Sequence, residues 1–319
     1  MNERACADLL AQNDGYLLVT HRNPDGDTLG SSAALCRGLR ALGKTAFVLE
    51  NKQITPKYQD LVQGLTTDRV GGLLPVFVDV AAPDMASDDA KTLGLCPWLV
   101  IDHHLGDRYG DVPRCADTGA AAVGEIVFRL LGLLGAAPDE KIARALYVAI
   151  STDTGCFRFG NTTAETHRIA GELLKYPIGL EELNRQLFEI KTPACLSLQQ
   201  RVLADIRYFA EGRGALIAIS ARDRRELAVT EDDMDEISSL PRTVEGVDVG
   251  VTLKELPDEE GTWKVSLRTT PAADAAAICA CFGGGGHARA AGCTLHGDLQ
   301  DVAQAVCDAC ARELEKASK

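Results

Sequence analysis

Four short stretches of this chain place carboxylates and imidazoles where apolar or helical segments end. They are His21-Arg22-Asn23-Pro24-Asp25-Gly26-Asp27, Asp79 after Val76-Phe77-Val78, Asp102-His103-His104 after Trp98-Leu99-Val100-Ile101, and Asp153 in Ser151-Thr152-Asp153-Thr154. The third is the most informative, because two imidazoles and a carboxylate at the end of a buried strand are costly to place and useful mainly for binding something. Singly, the others are weak. His21 to Asp27 reads equally well as a polar loop in which Asp27 caps a helix starting at Thr28, with Gly26 folding the backbone tightly between carboxylates. One aspartate after a strand, such as Asp79, is an ordinary turn former, and Asp153 carries the same reading. Gathered at one sheet edge, however, these carboxylates would repel one another and bind protons more tightly unless compensated. Two divalent cations supply that compensation. Oxygen donors with imidazoles suit manganese or another borderline ion better than magnesium, which prefers oxygen and retained waters. Two such ions about 3.5–4 Å apart can bridge a hydroxide and clamp a phosphoryl group, which is the chemistry of phosphate ester or anhydride hydrolysis.

The elements that must position these groups read as an α/β domain. Residues 15–20, 44–50, 74–80 and 97–101 are runs rich in Val, Leu, Ile and Phe rather than alternating patterns, which predicts buried parallel strands covered on both faces by helices. Helices are predicted over 28–42, stopped at Gly43, over 120–134, stopped at Gly135, and over 139–150 after Pro138. The polar motifs then fall at the C-terminal edge, where open α/β sheets bind ligands. Residues 164–209 are mostly helical, interrupted at Pro177 and Pro193, and a second, smaller α/β set follows. Its predicted strands are 215–220, 247–256 and 262–269, its helices 274–281 and 299–316, with a loop at Gly283-Gly284-Gly285-Gly286-His287. The expected organisation is a catalytic domain over 1–188, a helical connector over 189–212 and a substrate-binding domain over 213–319.

At 319 residues two domains are the default. With 46% hydrophobic and 25% charged residues the chain is an ordinary globular protein. The formal net charge of −13 disfavours long duplexes or strands held by general electrostatics. Eleven cysteines, an odd number scattered through helices and strands, suit reduced, packed thiols; Cys279-x-Cys281 and Cys307-x-x-Cys310 lack the second pair a zinc site requires. The first fourteen residues carry Glu3, Asp8 and Asp14 and no apolar block, so no secretory signal, membrane span or membrane partner is expected and the location expected is cytoplasmic.

With the four blocks in this order, the chain resembles the DHH phosphoesterase superfamily, named for the triplet Asp102-His103-His104. The second half resembles the DHHA1 domain through Gly284-Gly285-Gly286-His287 within residues 283–292. Thr154-Gly155-Cys156-Phe157-Arg158-Phe159 and Lys264-Val265-Ser266-Leu267-Arg268 are similar to NrnA-type enzymes. The resemblance implies a manganese-dependent hydrolase that degrades short oligoribonucleotides to mononucleotides and converts adenosine 3',5'-bisphosphate to AMP. It implies that His21, Asp25 and Asp79 hold one metal and that Asp27, Asp79, His103 and Asp153 hold the other, with Asp79 bridging. Asp102 would orient a ligand histidine or its strand; His104 would stand near the scissile phosphate or be structural. Arg268, Gly284, Gly285, Gly286, His287 and Arg289 would grip a terminal phosphate or ribose. Arg158 reads either as a substrate contact or as a solvated arginine, and His167 and His296 as structural. The expected partners are short single-stranded RNA or dinucleotides, with a homodimer possible. Hydrolysis of linear dinucleotides such as pApA is the neighbouring activity. A non-catalytic nucleotide-binding protein is the rival from another class, and the loss of a ligand that would favour it is not seen.

Overall fold

Successive residues of each central strand are apolar, so both faces of the first sheet need a cover. Leu18 of β1 (Tyr16–Val19), Val76 and Val78 of β4 (Leu74–Val78), and Leu99 and Ile101 of β5 (Leu99–Asp102) enter one core. Leu17, Val19, Phe77 and Val100, their neighbours in sequence, enter a second. In this computed structural model, which describes residues 1–106 and 108–317, the chain divides into two units between Ile190 and Lys191.

The first unit adds β2 (Ala46–Leu49), β3 (Thr66–Thr67) and β6 (Arg114–Ala116) to give the order β3-β2-β1-β4-β5-β6, every pair parallel. Its helices are α1 (Glu3–Gln12), α2 (Gly26–Ala41), α3 (Asp88–Thr92), α4 (Val123–Leu134), α5 (Glu140–Asp153), α6 (Ala164–Leu173) and α7 (Leu180–Asn184). Strand order reverses between β1 and β4, the position where open α/β sheets open a crevice beyond the strand ends. His21, Asp79 and the Asp102 triplet follow three adjacent strands, spaced at about 4.8 Å. The fourth block arrives on a helix. A side chain on Gly30 would meet Ala145 O at 2.4 Å, and one on Gly26 would meet Thr152 Oγ1 at 2.3 Å. These two glycines therefore let α2 lie directly on α5, which brings the start of α2 beside Asp153 at the end of α5. Gly26 opens α2 with ordinary helical backbone, so its role is this close approach rather than the tight turn expected from sequence.

The second unit contains α8 (Pro193–Ala204), β7 (Arg207–Phe209), β8 (Gly214–Ile219), α9 (Ala221–Leu227), α10 (Glu231–Ile237), β9 (Val249–Glu255), β10 (Thr262–Thr269), α11 (Ala275–Ala280), β11 (Gly285–His287), β12 (Ala290–His296) and α12 (Leu299–Ala317). Its sheet runs β11-β12-β10-β9-β8-β7, with β8 and β9 parallel and the other pairs antiparallel. Residues 193–209 belong to this unit rather than to a connector: Cys195, Leu198 and Val202 pack with Ile217, Ile219, Met234 and Ile237, and β7 pairs at the sheet edge. The glycine stretch is likewise not a free loop. Gly285, Gly286 and His287 pair with Gly292, Ala291 and Ala290, forming a strand the sequence pattern hid because it offers no bulky side chains. All eleven cysteines are free thiols. Among the described residues no helix is long and apolar enough to cross a membrane.

Candidate metal centre

The four acidic blocks converge. Nε2 of His21 lies 3.5 Å from Asp25 Oδ1 and 3.9 Å from Asp79 Oδ2. Nε2 of His103 lies 3.7 Å from both Asp79 Oδ1 and Asp153 Oδ2. His21, Asp25 and Asp79 thus form one group able to ligate a cation, and Asp27, His103 and Asp153 a second, with Asp79 reaching the second through His103. Backbone and neighbours aim each side chain. Asp79 adopts φ 59°, a left-handed conformation uncommon outside glycine, while its N–H continues the ladder to Ile101 O. Asn51 donates to the His21 carbonyl. His103 Nδ1 faces Ala120 O at 3.1 Å; a carbonyl only accepts, so that nitrogen carries the proton and Nε2 is left with a lone pair for a cation held among the carboxylates.

Asp27 is not the cap of α2. Asp25 accepts from the N–H groups of Asp27 and Thr28 and caps that helix. Asp27, buried, accepts instead from Val123 N at 2.6 Å, Gly124 N at 3.0 Å and Ser31 Oγ at 2.8 Å. It caps α4, whose own preceding residue Ala122 has no side chain able to do so. A carboxylate has about four acceptor positions; three are used here and one remains for a cation. Asp79 is the opposite case: its buried Oδ1 has no hydrogen-bond donor among the described residues. Leaving such an acceptor unmet costs about 1–3 kcal/mol, and a bound cation would remove that cost. The residues present therefore fit a metal centre.

Asp102 is fully buried at the end of β5 and accepts from four directions. Arg114 Nη2 and His104 Nδ1 each lie 2.8 Å away, and the N–H groups of His103 and His104 donate at 2.9 and 3.2 Å. Burial pushes its pKa up, but His104 and Arg114 outweigh burial and hold it down at about 2. An ionised Asp102 fixes the proton of His104 on Nδ1, so that this nitrogen is not a metal ligand although it lies 3.5 Å from Asp79 Oδ1. The remaining Nε2 is the atom His104 can present to a substrate. Arg114 also donates to the carbonyls of His104 and Gly106, pinning the segment after the triplet.

Like charges dominate the rest of the cluster. Burial, then the charge of Asp153, raises Asp27 to about 7. Burial raises Asp153 to about 6 against the pull of His103. Asp79 is pushed well above the ordinary carboxylate range by burial and by Asp27, Asp25 and Asp153. His103 is desolvated, yet Asp27 and Asp153 raise its proton affinity overall.

In the second unit, strand register places Arg268, Ala290 and His287 in one row across β10, β12 and β11. Paired residues share a sheet face, so Arg268 and His287 flank small Ala290, about 9–10 Å apart at two strand spacings. Ser266, Gly292 and Gly285 form the next row on that face. Gly284 precedes β11, its N–H donating to Cys279 O, while Gly286 lies one position over, against Ala291. Arg289 is engaged elsewhere: Nη1 donates to Ala273 O at 2.6 Å and to Thr270 O, holding the turn after β10. Arg158 is exposed, with Nε donating to Gly155 O at 2.6 Å. His167 stacks on Phe157 and His296 meets Thr262 Oγ1.

Sequence reasoning missed Arg114, Ser31 and the Ala120 carbonyl. Arg114 and the Ala120 carbonyl meet the site only through the fold, Ser31 lies one helical turn after Asp27, and none stands in a block of chemical residues.

Residues 16–150 match the DHH family, N-terminal domain, and residues 213–313 match the DHHA1 domain. The chain is 36% identical to the bifunctional oligoribonuclease and PAP phosphatase NrnA of Thermus thermophilus, across 98% of this chain and 95% of that protein. It is 27% identical to the protein of the same description from Bacillus subtilis, across 89% and 90%. The fold is similar to the crystal structure of an exopolyphosphatase-related protein from Bacteroides fragilis, with a TM-score of 0.87, 21% identity and coverage of 99% and 98%.

Proposed function

The chain belongs to the DHH family, with a DHHA1 domain, and is of the NrnA kind; from that premise we propose that it hydrolyses short oligoribonucleotides to mononucleotides and adenosine 3',5'-bisphosphate to AMP, using two manganese ions. Members of the family are metal-dependent phosphoesterases, and the observation that carries the two-ion reading is the buried Asp79 carboxylate. It lies between the His21–Asp25 pair and His103, with Oδ1 lacking any donor among the described residues.

In this reading His21, Asp25 and Asp79 hold one ion and Asp27, His103 and Asp153 the other, with Asp79 shared. The ions supply Lewis-acid activation of the phosphoryl group and of the attacking water. The chain's own residues do the rest. Asp27 receives two N–H groups from the start of α4, so its carboxylate is oriented before any ligand arrives. Asp102 keeps the His104 ring oriented through Nδ1, which leaves Nε2 as the atom that meets a phosphoryl or leaving oxygen as negative charge develops. Arg268 and His287 offer a phosphate or ribose a grip on the open face of the second sheet, with the small residues of the adjoining row leaving room for it.

The test is a parallel measurement of manganese-dependent turnover on RNA dimers to pentamers, a long RNA, adenosine 3',5'-bisphosphate, pApA and pyrophosphate. Turnover per end is expected to be highest for the shortest RNAs, because a net charge of −13 provides no basic track for further phosphates. Equal rates per end on long and short RNA would instead identify a processive exonuclease, and binding without turnover a nucleotide sensor.

A further inference from the structure

The segment after Asp153 contains two phenylalanines, Phe157 and Phe159, with opposite fates. Gly155, Cys156 and Phe157 run through three consecutive left-handed conformations, φ 55°, 58° and 61°. This run turns the chain sharply at the end of α5. Such backbone is unfavourable for the two non-glycine residues and persists only where the surroundings enforce it. Arg158 N and Phe159 N both donate to Thr154 O, and Asn161 Nδ2 ties the far side of the turn to Asp153 O at 3.1 Å and Ala121 O at 3.0 Å. The turn is thus fastened to the backbone of one acidic block and to the segment whose Ala120 carbonyl orients His103.

Phe157 points inward, stacked on His167 at 5.3 Å and tilted against Tyr147 at 5.9 Å. Phe159 does not. It is 48% exposed, and among the described residues of the first unit it is the one large aromatic side chain left exposed. Its ring lies over Gly155, where a side chain would come within 2.3 Å of the ring carbons. One part of the ring is seated on a residue that has no Cβ, while the rest faces solvent. Arg158 beside it is exposed too, with Nε fixed on Gly155 O. A solvent-facing aromatic contributes little to the fold, and a seated ring loses little freedom on binding.

We propose that Phe159 is a stacking platform for a nucleobase of the substrate, adjacent to the phosphate held by the acidic cluster, with Arg158 flanking it as a phosphate contact. The inference rests on the oligoribonuclease reading and adds the recognition of the base to it. Stacking suits this chain for two reasons. Every base has a π-face, so one ring serves substrates of any sequence. A protein with a net charge of −13 also gains little affinity for RNA from its average field and needs an uncharged source.

The experiment uses the full chain with manganese and short RNA dimers in which one base at a time is replaced by hydrogen, leaving an abasic ribose. Phe159→Ala and Phe159→Leu are expected to raise KM for the intact dimer roughly ten- to a hundredfold, while Phe159→Trp stays near the wild-type value. For one of the two positions, base removal should cost the wild type that same factor and cost Phe159→Ala nothing further. Metal content and melting temperature are followed in every variant, and the Phe159→Leu and Phe159→Trp pair separates stacking from general damage. Wild-type KM in Phe159→Leu, or an undiminished abasic penalty in Phe159→Ala, overturns the proposal while leaving the oligoribonuclease reading intact. No turnover and no binding of any dimer by the wild type overturns both.

Discussion

Removing the metals should make the first unit less stable as pH rises, the reverse of ordinary acid denaturation in this range. Burial and Asp153 carry Asp27 from 3.8 to about 7 in the folded protein, and each tenfold change in proton affinity corresponds to about 1.4 kcal/mol. The penalty from Asp27 alone is therefore on the order of 4 kcal/mol. Asp153, carried to about 6, shares the same repulsion, so its share is not added. The direction follows from the raised values. Below pH 3.8 both folded and unfolded chains bind the proton and nothing is lost; as pH rises from 3.8 towards 7 the unfolded chain releases it first, and folded stability falls. Asp102, held low at about 2, loses its contribution only as pH falls below the ordinary carboxylate range, outside this window.

About 2.5 kcal/mol of this penalty develops between pH 5 and pH 7.5, the rest lying below pH 5; for a unit of this size 1 kcal/mol shifts Tm by roughly 2–4 °C, so chelated protein should melt about 5–10 °C lower at pH 7.5 than at pH 5. Saturating manganese should abolish or invert that slope, since its ligands must be deprotonated to bind. Scanning calorimetry of the chelated and manganese-loaded protein from pH 4.5 to 8 measures this directly. Asp153→Asn is the informative variant because it removes a charge without removing a hydrogen bond that holds the fold, whereas an amide at Asp27 would turn a second donor towards Val123 N–H. It should raise the Tm of chelated protein at pH 7.5 and flatten the slope. A Tm for chelated wild type that is constant or rises over this range, unchanged by Asp153→Asn, would refute the reasoning.

Three further outcomes follow from the site. Asp79→Ala should remove manganese-dependent activity and lower bound metal towards zero, because the shared carboxylate is lost and its neighbours face one another unscreened; a folded variant that still holds two ions by elemental analysis would show that Asp79 does not bridge. Arg114→Met should lower kcat about tenfold or more at unchanged metal content, since one charge-assisted bond to Asp102 is worth on the order of 1.5–3 kcal/mol; Arg114→Lys should recover part of it, and equal loss in both variants with depleted metal would mean the residue only holds the fold. Arg268→Ala or His287→Ala should raise KM for RNA dimers about ten- to a hundredfold with metal content unchanged, which steady-state kinetics on both variants would contradict if neither moved.

The central strands were legible because they are continuously apolar, and the blocks were legible because the chemistry of their residue types is rare at strand ends. The elements that escaped are those whose residues carry no pattern. Thr66–Thr67, Arg114–Ala116 and Arg207–Phe209 are edge or near-edge strands of two or three residues, and β12 reads Ala-Ala-Gly-Cys-Thr-Leu-His, in which only Ala291 and Cys293 are buried. Such segments become strands because a neighbour offers hydrogen bonds, not because of their own alternation. The same limit explains Arg114: its partner Asp102 is twelve residues away, on the adjacent strand.

The swap of roles between Asp25 and Asp27 shows where local reading stops for a physical reason. Both are good capping residues, both precede Thr28, and sequence spacing alone favours Asp27, the nearer. The fold decides otherwise because Ala122 leaves the start of α4 without a cap, and Val123 and Gly124 present their N–H groups to whatever acceptor α2 brings close. Only a residue in the buried first turn of α2 reaches them, and that residue is Asp27. Asp25, left at the exposed end, takes over the cap of α2 and keeps its carboxylate beside His21. Two acidic residues two positions apart thus become the cap of one helix and the cap of another, each with an oxygen turned to a different group of potential metal ligands. A single carboxylate could not serve both, which accounts for the paired Asp25-Gly26-Asp27 spacing, with glycine between them where Thr152 leaves no room for a side chain.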